Sequence, residues 1–347
     1  MVTHKSRPTL CIVTPAMADA NNGNWQTAQR WARMLGRSYK VRLVPQWPHA
    51  QVPHANALIA LHARRSAPSI AAWAAQKPNS PLIVALTGTD LYRDIANDPQ
   101  AQHSLQAAHR LIVLQEAAPQ ALPETFRPKT RVLFQSSTSR QTISKTHQHL
   151  RVVVVGHLRS EKSPQTVFDI ACALHPADGI LIDHIGDALE PQWAEAANAT
   201  SAACPHYLWL GGLKHSQARR HIQRAHLLLH PSQMEGGAHV IMEAITSGTP
   251  VLASCVAGNV GMLGAEYTGY FDWNNAAQAT ALLRQCRHSL SMASEDPNNL
   301  LAQLTAQCHQ RAPLFAPAQE AWALQTLVAQ ALASVPQHNP SPTPSSP

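Results

Sequence analysis

No apolar run in this chain approaches the roughly 18 residues that a membrane-spanning helix needs. Nor does the start resemble a secretory leader. Basic residues occur between Met1 and Thr9, but the apolar stretch after them breaks at Pro15 and runs into polar Asp19 to Asn24. The expectation is a cytoplasmic protein with no membrane partner. Cysteine is sparse and scattered: Cys11, Cys172, Cys204, Cys255, Cys286 and Cys308 include no CxxC pair. That pattern suggests neither a zinc site nor a disulfide framework, and it fits buried thiols. Aromatic residues make up 5 % of the chain and charged residues 14 %. No basic cluster is interleaved with aromatics, so nucleic acid is not an expected partner. The acidic motif that holds a nucleotide diphosphate through a divalent ion is also lacking, so neither metal nor cofactor is expected. Twenty histidines are present, but no pair of them has convincing ligand spacing.

What is present is Ala-rich and carries a formal charge of +7 over 347 residues. The length is ample for two domains, and the charge favours small anionic ligands such as phosphates. Short apolar runs alternate with helical patterns. Leu10 to Val13, Val41 to Val44, Leu58 to Leu61, Leu82 to Leu86, Leu111 to Leu114 and Val132 to Phe134 read as strands. Trp25, Ala28, Trp31 and Leu35 recur at helical spacing between the first two. The polar stretch Ser136 to His149 reads as a linker. The pattern then restarts, with strands at Val152 to Val155, Ile180 to Ile185, Leu208 to Leu210, Leu227 to Leu229 and Val251 to Ala253.

Continuous apolar strands separated by helices imply parallel sheets covered on both faces. The expected architecture is α/β, with two Rossmann-like, doubly wound domains facing a central cleft. Residues 1–140 form the N-terminal domain and 150–312 the C-terminal domain. A helix follows at 313–333, then a Pro- and Ser-rich disordered tail at 334–347.

The stretch His230-Pro-Ser-Gln-Met-Glu235-Gly236-Gly237-Ala238-His-Val-Ile-Met-Glu243-Ala concentrates the chemistry. A strand ends, a Gly-Gly pair lets a ligand approach the backbone, and a helix begins whose first N–H groups attract phosphate. Eight helical residues span about 12 Å, which suits one carboxylate on a hexose and another on a ribose. Upstream, Gly156-His157-Leu-Arg159-Ser-Glu-Lys162 follows the first strand of the domain, so Arg159 and Lys162 are candidates to clamp a diphosphate. Downstream, Ser247-Gly248-Thr249-Pro250 stops the helix. Ala257 to Gly261, with Asn259, reads as a second flexible loop at a strand end.

These features resemble the retaining glycosyltransferases of the GT-B fold that carry a Glu-x7-Glu motif. The resemblance implies that Glu235 contacts the donor sugar, Glu243 the ribose and Lys162 the diphosphate. That family usually has Arg directly after the strand-end Gly, where this chain has His157.

In the N-terminal half, Asn21-Asn22-Gly23-Asn24 precedes the first helix. Asn24 is placed as its cap, and Gly23, Asn24 and Thr27 are candidates to hold an anion. His62-Ala-Arg64-Arg65-Ser and Thr87-Gly-Thr-Asp90-Leu-Tyr-Arg93 end the third and fourth strands, and Arg64, Arg65 and Arg93 suggest a basic pocket. Asp90 reads as a helix cap before a general base. Together with Gly258 to Gly264, these loops are similar to those of the selenosugar synthases of selenoneine biosynthesis. That branch implies transfer of the sugar of UDP-N-acetylglucosamine, or a related UDP-sugar, to selenophosphate. Two alternatives stay open on sequence: a conventional transferase acting on a sugar or lipid hydroxyl, and a non-catalytic nucleotide-sugar-binding protein.

Overall fold

The computed structural model describes residues 7–15, 23–293 and 295–334. Asn21, Asn22 and almost all of the expected tail lie outside them. Twelve strands form two six-stranded sheets among the described residues, and every pairing is parallel. The first sheet contains β1 (Thr9–Val13), β2 (Lys40–Val44), β3 (Ala57–Leu61), β4 (Leu82–Ala85), β5 (Arg110–Val113) and β6 (Thr130–Val132), in the order 2-1-3-4-5-6. The second contains β7 (Leu150–Val155), β8 (Ile180–Ile185), β9 (Tyr207–Trp209), β10 (Leu227–His230), β11 (Val251–Ser254) and β12 (Tyr270–Phe271), in the order 12-11-10-7-8-9.

Each order reverses direction once, between β1 and β3 and between β7 and β10. A ligand crevice is expected at the carboxyl ends of the strands at such points. Alternate residues of β1 show why the first sheet is covered twice. Cys11 and Val13 join the apolar cluster around Trp73, whereas Leu10 and Ile12 join the one around Trp31. Both tryptophans are fully buried, and each large buried side chain contributes about 1.5–3 kcal/mol.

Several elements differ from the sequence reading. The sixth strand lies two residues earlier than Val132 to Phe134: Leu133 N still donates to Val113 O, but Phe134 leaves the sheet and packs edge-on against Phe315. The short β12 was not anticipated, since two residues carry no periodicity. The stretch from Ala257 is a helix (Ala257–Leu263), not a flexible loop. The linker is not free either. Gln135, Ser136 and Ser137 are buried, and farther on Arg140 N donates to Thr246 O and Lys145 Nζ reaches Gly248 O.

The last helix (Pro317–Ala333) returns to the first domain. Leu324, Leu327, Val328 and Ala331 complete the Trp31 side of its core. Glu320, on the same helix, is buried. It accepts from Arg30 Nε (3.1 and 3.0 Å), Trp31 Nε1 (2.8 Å), Ser136 N (2.8 Å) and Ser136 Oγ (2.5 Å). One carboxylate thus joins the first helix, the crossover and the last helix.

Candidate active site

The carboxyl edges of the two sheets face each other. Their loops approach so closely that side chains are excluded. A Cβ on Gly236 would lie 2.2 Å from Gly88 N, one on Gly237 2.8 Å from Leu114 Cβ, and one on Gly261 1.6 Å from Gln115 Oε1. The Gly-Gly pair was read as room for a ligand. In this structure the other domain takes that room, and the correction follows from packing that sequence spacing does not reveal.

Glu235 and Lys162 come together from β10 and β7. Lys162 Nζ is 2.5 Å from Glu235 Oε1, and His230 Nε2 is 3.1 Å from the same oxygen. Glu235 is 11 % exposed. Burial alone would push its carboxyl up, but the Lys162 ammonium and His230 outweigh burial and hold it well below the usual carboxylate range. An ionised carboxylate only accepts hydrogen bonds, as recognition of sugar hydroxyls requires. Lys162 is delivered by a short turn (Ser160–Lys162) closed by Ser163 at φ 50°, and its stem lies over Gly156.

Glu243 sits in the second turn of the helix His239–Ile245; Glu235 to Ala238 are not helical, so the eight-residue helical rise expected between the two carboxylates is not present. His215 Nε2 donates to Glu243 Oε1 at 2.6 Å, which raises the His215 pKa. Arg219 Nη1 is 3.9 Å from the same oxygen. Arg219 is buried and anchored to the crossover by donating to Ser137 Oγ and to Thr138 O (2.9 Å).

Lys162, Glu243, His215 and Arg219 line one cavity of about 750 Å³, together with Gly23, Gln26, Arg30 and Arg33 of the first helix (Gly23–Leu35). His239 lines it too. Burial and nearby Arg30 push its pKa down to about 3, so the ring is neutral, and its Nε2 accepts from Arg30 Nη1 at 3.2 Å.

The other expected residues are placed as follows. Arg159 points to Glu161 (3.9 Å) rather than pairing with Lys162, and exposed His157 faces Asp187 (3.8 Å). Ala238 immediately precedes the Glu243 helix and is buried. Asn259 is fully buried: its Nδ2 donates to Ser254 O and Oγ at 3.0 Å, and its Oδ1 has no partner. Asn24 is not a cap, because the helix already begins at Gly23. Thr27 is buried; its Oγ1 donates to Gly23 O and accepts from Gln135 Nε2.

Arg64 and Arg93 turn towards Asp94 (3.0 and 3.2 Å), and Arg93 also towards Glu161 (3.8 Å), while Arg65 is exposed. None of the three lines the large cavity. Asp94 and Glu161 draw Arg64 and Arg93 away from it. Asp90 is fully buried and accepts from Ala63 N (2.7 Å), Thr87 N (2.5 Å) and Thr87 Oγ1 (3.0 Å). It ties the β3 and β4 loops together and no solvent reaches it; it is not the expected helix cap, because it lies inside the helical segment, after Thr89.

Sequence reasoning missed Arg30, His215, Arg219 and Glu320, since each acquires its role from a partner far along the chain, and it passed over His230, only five residues from Glu235, because spacing alone does not show that the two side chains meet. Among the described residues there is no cluster of His, Cys, Asp and Glu able to hold a metal, and no helix is long and apolar enough to cross a membrane.

Comparison with known proteins agrees with this architecture. Residues 135–300 match the family model of glycosyl transferases group 1. Among solved structures, sucrose-phosphate synthase from Thermosynechococcus elongatus superposes with a TM-score of 0.73 at 14 % identity, covering 94 % of this chain and 100 % of that one. HepE from Anabaena, in complex with UDP-glucose, gives 0.69 at 13 % identity over 93 % and 100 % of the two chains. A glycosyltransferase from Rickettsia africae ESF-5 gives 0.70 at 12 % identity over 94 % and 99 %. The fold is GT-B. No curated protein sequence matches.

Proposed function

We propose that this chain, a GT-B protein whose residues 135–300 match glycosyl transferases group 1, transfers the sugar of a UDP-sugar to selenophosphate, giving a 1-selenosugar, UDP and phosphate. The observation that carries the donor half is the pairing of Glu235 with Lys162 at one side of a cavity whose wall also holds Glu243. A cavity of about 750 Å³ has the size of a small-molecule site, and the similar HepE structure holds UDP-glucose. In this reading Glu235 accepts from hexose hydroxyls, Glu243 from the ribose, and Lys162 meets the charge that develops on the departing diphosphate.

The acceptor half rests on the loops His62 to Ser66, Thr87 to Ile95 and Gly258 to Gly264, which resemble those of selenosugar synthases. It also rests on the cationic character of the first two. Selenophosphate is already anionic, so its selenium attacks without a general base. Asp90, closed from solvent and committed to backbone donors, is consistent with a reaction that needs none. The C1–Se bond forms as the C1–O bond breaks, and UDP leaves with the electron pair. Water then cleaves the Se–P bond to give phosphate and the free selenol. The protein acts mainly by positioning.

The test is incubation with UDP-N-acetylglucosamine and selenophosphate, following UDP release and the selenium isotope pattern by mass spectrometry. A selenium-bearing sugar formed with UDP is expected. UDP release only with hydroxyl acceptors would reassign the enzyme to conventional glycosyl transfer, and binding without turnover would make it a nucleotide-sugar-binding protein.

A further inference from the structure

A diphosphate in the cavity carries two negative phosphoryl groups, and Lys162 is one cation. The residues expected to supply a second do not face it. His157 is turned to Asp187, Arg159 to Glu161, and Arg64 and Arg93 to Asp94. Arg219 and Arg33 also line the cavity, but Arg219 Nη1 and Nη2 are committed to Ser137, Thr138 and Ser247, and Arg33 is exposed and donates through Nε and Nη2 to Gln29 of its own helix.

Arg30 differs in how it is held. Glu320 grips the guanidinium by the Nε edge alone, with both carboxylate oxygens at 3.0–3.1 Å, and this leaves the far end directed away from it. Nη1 donates to the neutral ring of His239, the first residue of the Glu243 helix. Nη2 is closed from solvent and has no hydrogen-bond partner. A buried unmatched donor is costly and calls for a reason. Three further donors, from Trp31 and Ser136, share the negative charge of Glu320, so the carboxylate fixes Arg30 without claiming its outer nitrogens.

We infer that Arg30, reaching from the N-terminal domain, is the second cation of the donor diphosphate site, and that Glu320 is the residue that positions it. This rests on the UDP-sugar reading above. It means that the diphosphate is clamped from both domains: Lys162 holds one side and Arg30 the other. Donor binding then draws on an element outside the nucleotide-sugar domain.

The experiment is calorimetric titration of the full-length protein with UDP and, separately, with uridine, which has no phosphate. Arg30→Gln is expected to weaken UDP by at least about tenfold, in line with a lost charge-assisted hydrogen bond, and to leave uridine unchanged. Arg30→Lys should recover part of the loss. Glu320→Gln should give a smaller loss, again confined to UDP, because a positioning defect discriminates between phosphate and nucleoside whereas general unfolding does not. Wild-type UDP affinity in a folded Arg30→Gln protein, with Lys162→Ala impaired, would overturn the assignment of Arg30 alone. Equal losses for UDP and uridine would also overturn it. Failure of the wild-type protein to bind UDP would instead overturn the donor reading itself.

Discussion

Two buried carboxylates sit at facing edges of the two sheets and behave in opposite ways. Glu235 meets a lysine and a histidine and is held ionised far into the acid range. Asp90 meets backbone and hydroxyl donors and, 3.6 Å away, the neutral ring of His62, with no lysine or arginine paired to it. Burial outweighs those bonds and pushes its pKa up to about 7. Burial acts in the same direction on both, so the sign of the shift is decided by whether a cation has been brought close. The second domain brings its lysine inward to a carboxylate beside the cavity. The first turns Arg64 and Arg93 to Asp94, leaving Asp90 to fasten two loops. The two carboxylate-bearing loops also touch, through Gly88 and Gly236.

The largest effect should come from removing the lysine that makes the difference. Lys162→Ala is expected to lower kcat/KM by at least about a hundredfold, as loss of a charge-stabilising group does, and to cost about 2–3 kcal/mol in denaturant titration by removing the charged donor to Glu235. The sign of its pH dependence follows from the depressed folded-state pKa. The contribution of the pair is present above the ordinary glutamate value of 4.5 and is lost as pH falls towards the lower folded value. Acid titration of the wild type and the variant should therefore converge.

Separating the two loops is the next strongest test. A Cβ at position 88 would lie 2.6 Å from Gly236 N, and the obstacle is backbone rather than a flexible side-chain end. Gly88→Ala should push the domains apart and lower turnover by about tenfold or more, with near-normal unfolding in denaturant and a larger radius of gyration by small-angle scattering. An unchanged radius with full activity would show that the contact is not maintained in solution.

The smallest effect concerns stability alone. Asp90, with its raised folded pKa, contributes stability that is present below about 3.8 and lost as pH climbs through about 7. Neighbouring His62, lowered to about 4 by burial and by Arg65, works the other way. Its contribution is present above 6.5 and lost as pH falls through about 4. The two slopes oppose each other in the wild type. Asp90→Asn should leave stability rising between about pH 4 and 6.5, and His62→Gln should leave it falling between about pH 4 and 7. Chemical denaturation across that range reads both signs, and slopes of the same sign would refute the contrast.

The sequence displayed what depends on local spacing. Eleven of the strands, the doubly wound pattern and the candidacy of Glu235 and Lys162 as separate site residues follow from short-range periodicity or from loops at strand ends, whereas their pairing across 73 positions does not. What it concealed depends on distance. Arg30 and Glu320 are 290 positions apart, and His215 meets Glu243 across 28. No window of sequence contains either pair. The glycines were misread for a related reason: a missing side chain signals close approach but not what approaches, and at Gly236 it is Gly88.

The return of the last helix to the first sheet has a consequence for synthesis. Ile12, Ile59 and Ile83 are made early, yet Leu324 and Val328 share their core. As the chain emerges from the ribosome, that face of the N-terminal domain must wait for almost the whole second domain to be translated. Until then an apolar surface stands open to chaperones and to unwanted association. The domain that comes first in the chain is the one finished last.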